Sequence, residues 1–111
     1  MKVNRADELV PYDAPNHAGM RCLRVQGHAA SPAASVWIGL SKMAPGACAA
    51  LSASSVEKMY VVLSGEVTLC NARERHVLGP HDSCYVHPGE ERELRNDTDQ
   101  EASVLLVMPY V

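Results

Sequence analysis

Four cysteines (Cys22, Cys48, Cys70, Cys84) and five histidines (His17, His28, His76, His81, His87) are the side chains here that metal or redox chemistry would use. Their spacing argues against both. The cysteines are far apart and none forms a C-x-x-C pair, so neither a zinc knuckle nor a thioredoxin-like site is expected. Each reads as a small buried hydrophobe. The histidines have no ligand spacing either, and surface or capping roles are expected for them. Charge gives no further lead. The net charge is −3 without a Lys/Arg run, which excludes a nucleic-acid footprint. No apolar stretch approaches the roughly 20 residues of a membrane helix, so no membrane partner is expected. The N-terminus lacks an apolar signal core, and the expected location is cytoplasmic.

The elements that must position any site are strands. The run Val56–Leu69 is an apolar strand, a Ser64-Gly65 turn and a second strand, and it reads as a hairpin. Its apolar density implies burial on both faces, as in a closed barrel or a sandwich. Residues 1–19 carry Pro11, Pro15, Asn16 and Gly19 and read as an extended N-terminal arm, with residues 20–111 as one domain. Met20–Gln26 alternates. Ser35–Met43 also alternates, with Val36, Ile38 and Leu40 on one face and Trp37, Gly39 and Ser41 on the other. Ala44-Pro45-Gly46 reads as a turn. Residues 47–57 read as a short strand and a loop. Turns at Asn71–Glu74, Gly79–Asp82, His87–Gly89 and Asn96–Asp99 separate four further short strands, the last being Ala102–Met108. About nine short strands without a helical period mean an all-β barrel or sandwich. Phe is absent and Trp occurs once, so the core must come from Val, Leu, Ala and Met.

Two spacings then point to a family. Gly46, five residues, Ser52, one residue, Ser54, three residues, Lys58, six residues and Gly65 fit the frame G-x5-H-x-H-x3-E-x6-G. His81, five residues, His87-Pro88-Gly89, two residues, Arg92, three residues and Asn96 fit G-x5-P-x-G-x2-H-x3-N, with His81 and His87 in place of the usual Gly and Pro. Over residues 35–108 the chain resembles a small single-domain cupin of the conserved-barrel type. The resemblance implies an all-β, cupin-type double-stranded β-helix, or jelly-roll barrel. It also implies that positions 52, 54, 58 and 92 converge inside that barrel, where metal-binding members place two His, a Glu and a His.

Here those positions hold Ser52, Ser54, Lys58 and Arg92. Serine is a poor ligand for a divalent metal, and the two cations carry the wrong charge. No metal or other cofactor is therefore expected. Lys58 and Arg92 are expected to enter one cavity from neighbouring strands, repel one another and be balanced by an anion. Arg92 would offer a planar fork, Lys58 a point charge, and the two serines hydrogen bonds. Tyr60 shares the parity of Lys58 and joins the candidate binding set; Trp37 reads as a core anchor or a pocket wall. The alternative is an internal salt bridge from Lys58 to a glutamate, although Glu57, Glu91 and Glu93 alternate to the outer face. Three functions follow: a metal-independent binding protein for a small carboxylate or other anion; a metal-independent isomerase, cyclase or decarboxylase using Lys58; or a structural barrel with no ligand. A homodimer is expected, because short edge strands need cover.

Overall fold

The computed structural model describes residues 1–111. After a single 3-10 turn, Ala6–Glu8, it contains nine strands: β1 Val10–Tyr12, β2 His17–Gln26, β3 Val36–Ser52, β4 Lys58–Ser64, β5 Val67–Cys70, β6 Arg75–Leu78, β7 Ser83–Val86, β8 Arg92–Arg95 and β9 Ala102–Pro109. Every pairing is antiparallel, in the order β6-β5-β8-β3-β9-β4-β7, with β2 also on β3 and β1 on β2. This is the all-β jelly-roll barrel that the family resemblance implies, one of the two all-β forms that the strand pattern allows, nearly closed, with a seam between β6 and β7.

The longest strand explains the closure. β3 pairs with β9 through its first half and with β8 through its second, while β2 pairs with both halves, Met20–Gln26 with the first and His17 and Ala18 with Ala49 and Cys48 of the second. The turn expected at Ala44-Pro45-Gly46 is instead a bend inside this strand. Gly46 takes φ +80°, and its N–H bonds to the Asn96 carbonyl. A positive φ suits glycine, and a proline is tolerated where no ladder bond is required of it. One strand thus serves both halves of the barrel.

The Val56–Leu69 hairpin is a second correction. β4 pairs with β7 and β9, whereas β5 pairs with β6 and β8, so the two strands do not pair with each other. Ser64-Gly65-Glu66 carries the chain across the barrel. Gly65 has φ +71°, and a Cβ there would lie 2.7 Å from the Glu101 carbonyl oxygen. The close approach of the β8–β9 connection, rather than a hairpin turn, is what demands glycine.

Parity along β3 and β4 sets the interior. Trp37, Gly39, Ser41 and Met43 face inward along β3, and Tyr60 and Val62 along β4. Met43, Val62, Val67, Leu69, Leu94 and Val104 form the packed centre, joined by Ala47, Ala49 and Ala102. Asn96 is fully buried among them. Its amide donates to Met43 and Gln100 carbonyls and its oxygen accepts from the Thr98 N–H and hydroxyl, which fixes the β8–β9 turn. Among the cysteines only Cys22 is buried; Cys48, Cys70 and Cys84 are half-buried, and all four are free thiols.

Candidate functional site

The packed centre fills only part of the barrel. A cavity of about 550 Å³ occupies the rest, and Ser52, Ser54, Lys58, Tyr60 and Arg92 all line it. Lys58 and Arg92 do not arrive from neighbouring strands: β3 and β9 stand between β4 and β8 in the sheet order.

Arg92 is the best-defined group. It is 7% exposed, and its Nε donates to the Tyr60 hydroxyl at 2.9 Å. Its Nη1 donates to the Ala50 carbonyl and to Ser52 Oγ, each at 3.1 Å. All three acceptors are neutral. None of the chain's ion pairs includes Arg92 or Lys58. The glutamate salt bridge considered above does not form: Glu57 accepts from Tyr85 Oη, and Glu93 pairs with Arg95. Arg92 Nη2 donates to no protein group, and no buried polar side-chain atom lacks a partner, so this nitrogen keeps some accessible surface on a residue that lines both the cavity and the groove at the seam. A buried guanidinium without a counter-charge is costly unless an anion reaches it.

Burial, and then the charge of Arg92, lower Lys58 from 10.5 to about 8. Burial raises Tyr60 above the usual phenol range, against the lowering effect of Arg92. Ser52 serves as an acceptor for Arg92, while Ser54 Oγ donates to the Val56 carbonyl at 2.6 Å and holds the turn into β4.

The mouth of the cavity is built from residues that sequence reasoning left aside. Tyr12, Asp13 and His17 line it from the N-terminal segment, and Arg24 from β2. Part of that segment belongs to the sheet, since Tyr12 pairs with Cys22 and His17 with Ala49. Arg24 lies 3.6 Å above the Tyr12 ring and 4.9 Å from that of Trp37, which is therefore a pocket wall. Gly39 leaves room for this stack: a Cβ there would meet Tyr12 Oη at 2.8 Å and Trp37 Cζ3 at 3.0 Å. Burial raises Tyr12 to about 12, with Cys22 adding to the shift and Arg24 opposing it. His17 donates from Nδ1 to the Pro15 carbonyl, and burial lowers its pKa. The sequence signal for these groups is register: Tyr12 reaches the barrel only through β1–β2 pairing, which the prolines conceal.

Asp13, at the exposed lip, is the one Asp or Glu side chain in the lining. His81 and His87 do not line the cavity. His87 borders a separate groove of about 260 Å³ at the seam, with Cys70, Glu74 and Cys84. No three His, Cys, Asp or Glu side chains come together in a metal-holding arrangement. At the four positions where the family resemblance implies metal ligands, a buried guanidinium, an amine and two hydroxyls do not fit a divalent cation.

Comparison with known proteins agrees with this architecture. Residues 39–108 match the family model described as Cupin domain. Over 110 residues the chain is 36% identical to Beta-D-galactosidase Rv1717 of Mycobacterium tuberculosis, spanning 99% of this chain and 95% of that protein. The polyketide cyclase RemF from Streptomyces resistomycificus superposes with a TM-score of 0.87 at 16% identity, covering 98% of this chain and 79% of that one. A predicted oxalate decarboxylase from Thermotoga maritima gives 0.82 at 20% identity, with 100% of both chains covered. At such identities the two structures speak for the fold alone.

Proposed function

The chain belongs to the cupin domain family, and we propose that its barrel binds a small organic anion, a carboxylate above all, without a metal ion. One observation carries this reading: Arg92 is buried, bonds only neutral oxygens, leaves Nη2 without a protein acceptor and lines a cavity that Lys58 also lines. The ligand's carboxylate accepts from Nη2, Lys58 supplies a second positive charge, and the Trp37–Tyr12 wall covers its flat or apolar side. A thermal-shift series with small mono- and dicarboxylates and inorganic phosphate tests the reading. The melting temperature of wild type rises with the right anion, and Arg92→Met abolishes that response. A wild type indifferent to every anion would defeat it.

The galactosidase-named relative supports a second reading, hydrolysis of a galactoside, and the aromatic wall suits a sugar face. Glycoside hydrolysis ordinarily uses two carboxyl groups flanking the bond. Among Asp and Glu side chains the cavity offers Asp13 alone. Release of nitrophenol from a nitrophenyl β-D-galactoside, and its loss in Asp13→Asn, would move this reading ahead of the first.

A homodimer is also part of the proposal. Val107 lies between Ile38 and Met59, and Met59 is opposite Tyr85, so an apolar row crosses the outer face of four strands. Met59 and Tyr85 are 43% and 46% exposed. Light scattering is expected to give twice the 12.0 kDa chain mass.

A further inference from the structure

Lys58 has a chemical capacity that binding alone does not use. Its strand places it two residues from Tyr60, so the two side chains leave β4 on the same side with Cα atoms roughly 7 Å apart. Tyr60 Oη accepts from Arg92 Nε, which brings the guanidinium to this same wall. Lys58 has no acidic partner, lines the cavity, and is one of three lysines in the chain, the others being Lys2 and Lys42, which do not line it. A ligand with its carboxylate on Arg92 and an electrophilic carbon one or two bonds away would present that carbon to the amine.

We propose that Lys58 condenses reversibly with the carbonyl carbon of a short α-oxo acid whose carboxylate is held by Arg92. The idea rests on the anion-binding reading and names its ligand class. The step balances without an oxidant. Lys58 gives up one proton, its nitrogen lone pair adds to the carbonyl carbon, and the carbonyl π pair moves to oxygen. The resulting carbinolamine loses that oxygen as water, leaving a protonated imine. In sum, ammonium and carbonyl become iminium and one water, with charge conserved. Two features favour it. Burial and the neighbouring guanidinium make the neutral amine accessible near neutral pH, as a nucleophilic lysine requires. The wall of Trp37, Leu106 and Val104 limits water around the imine.

The test pairs covalent capture with binding. Wild type is incubated with pyruvate or glyoxylate and cyanoborohydride, which reduces an imine to a stable secondary amine. Intact mass and peptide mapping then locate the adduct, and a thermal shift is recorded with the same acid without reductant. The expected result is one adduct on Lys58 and a rise in melting temperature. Lys58→Arg keeps the charge and the thermal shift but loses the adduct. Arg92→Met, checked for folding by circular dichroism, loses both. A thermal shift in wild type with no adduct on Lys58 overturns the imine and leaves the anion reading standing. Absence of both shift and adduct overturns the imine, and the anion reading falls with it only if the other carboxylates and phosphate also leave the wild-type melting temperature unchanged. Equal labelling of Lys2, Lys42 and the N-terminus also overturns the proposal, as does capture undiminished in folded Arg92→Met.

Discussion

Replacing Lys58 by methionine should make the unliganded protein more stable at neutral pH, although it removes a partly buried side chain. In the folded chain Lys58 titrates at about 8 instead of 10.5, first because of burial and second because of Arg92. At face value that interval amounts to roughly 3 kcal/mol. Lys58 is partly exposed, and solvent screening reduces the figure to about 1–2 kcal/mol. Methionine keeps a similar stem and no charge, so it recovers this amount. For a domain of this size that means a melting temperature higher by about 5 °C. The pH dependence has a definite sign. Below about 8 the amine is protonated in both states, and the folded protein bears the full cost of the charge. Between about 8 and 10.5 the unfolded chain holds more protons than the folded one, so wild-type stability rises with pH. The advantage of Lys58→Met is therefore largest near neutrality and fades towards pH ~10. Urea unfolding of both proteins across that range measures it. A variant less stable than wild type at neutral pH, or a difference that ignores pH, would refute the idea of an uncompensated cation in the cavity.

Arg92→Met should behave differently, because Arg92 holds the Tyr60 hydroxyl, the Ala50 carbonyl and Ser52 Oγ. Sequence reasoning expects relief of repulsion there too; the hydrogen bonds reverse the sign, and chemical denaturation should show a loss of about 1–3 kcal/mol. Gly39→Ala drives a Cβ into Tyr12 Oη and Trp37 Cζ3. Its expected effect is a changed emission from the single tryptophan and weaker anion-induced thermal shifts, at a stability cost of about 1–3 kcal/mol. Gly65→Ala combines a positive φ with a 2.7 Å contact to the Glu101 carbonyl. A destabilisation of more than about 2 kcal/mol in urea unfolding is expected.

Parity made most of the barrel legible. The alternation of residues 35–43 separates Trp37, Gly39 and Ser41 from Val36, Ile38 and Leu40, and the structure keeps that division. The later turns are legible because their side chains bond their own backbone: Asn71 Oδ1 accepts from the N–H groups of Arg73 and Glu74, and Asn96 Oδ1 from that of Thr98. Partnership was not legible. A Gly after a strand signals a reversal of pairing, but Gly46 bends a strand that continues, and Gly65 crosses between strands that never pair. Gly65 answers to backbone from distant sequence, Glu101–Ala102, whereas Gly46 answers to its own positive φ, in a bend where its N–H bonds to the Asn96 carbonyl.

The same limit governs the site. The cupin resemblance marks out Ser52, Ser54, Lys58 and Arg92, strand parity adds Tyr60, and all five line one cavity. Residue types alone cannot say whether two buried cations are paired, since the answer depends on who stands opposite. Here the decisive partner of Arg92 is a backbone carbonyl, that of Ala50, which any residue could have supplied. The Tyr12–Arg24–Trp37 stack was hidden for a related reason. It forms only when a short, proline-containing strand adds to the edge of β2 and brings Tyr12 opposite Cys22. The hollow itself follows from composition. With no Phe, and with Gly39 and Ser41 on the inner face of β3, the interior lacks the bulk to fill the barrel. What remains is a space bounded by aromatic rings at its mouth and by a guanidinium that neutral partners orient but do not neutralise. Charge balance, more than shape, is then the ground on which an anionic occupant is proposed.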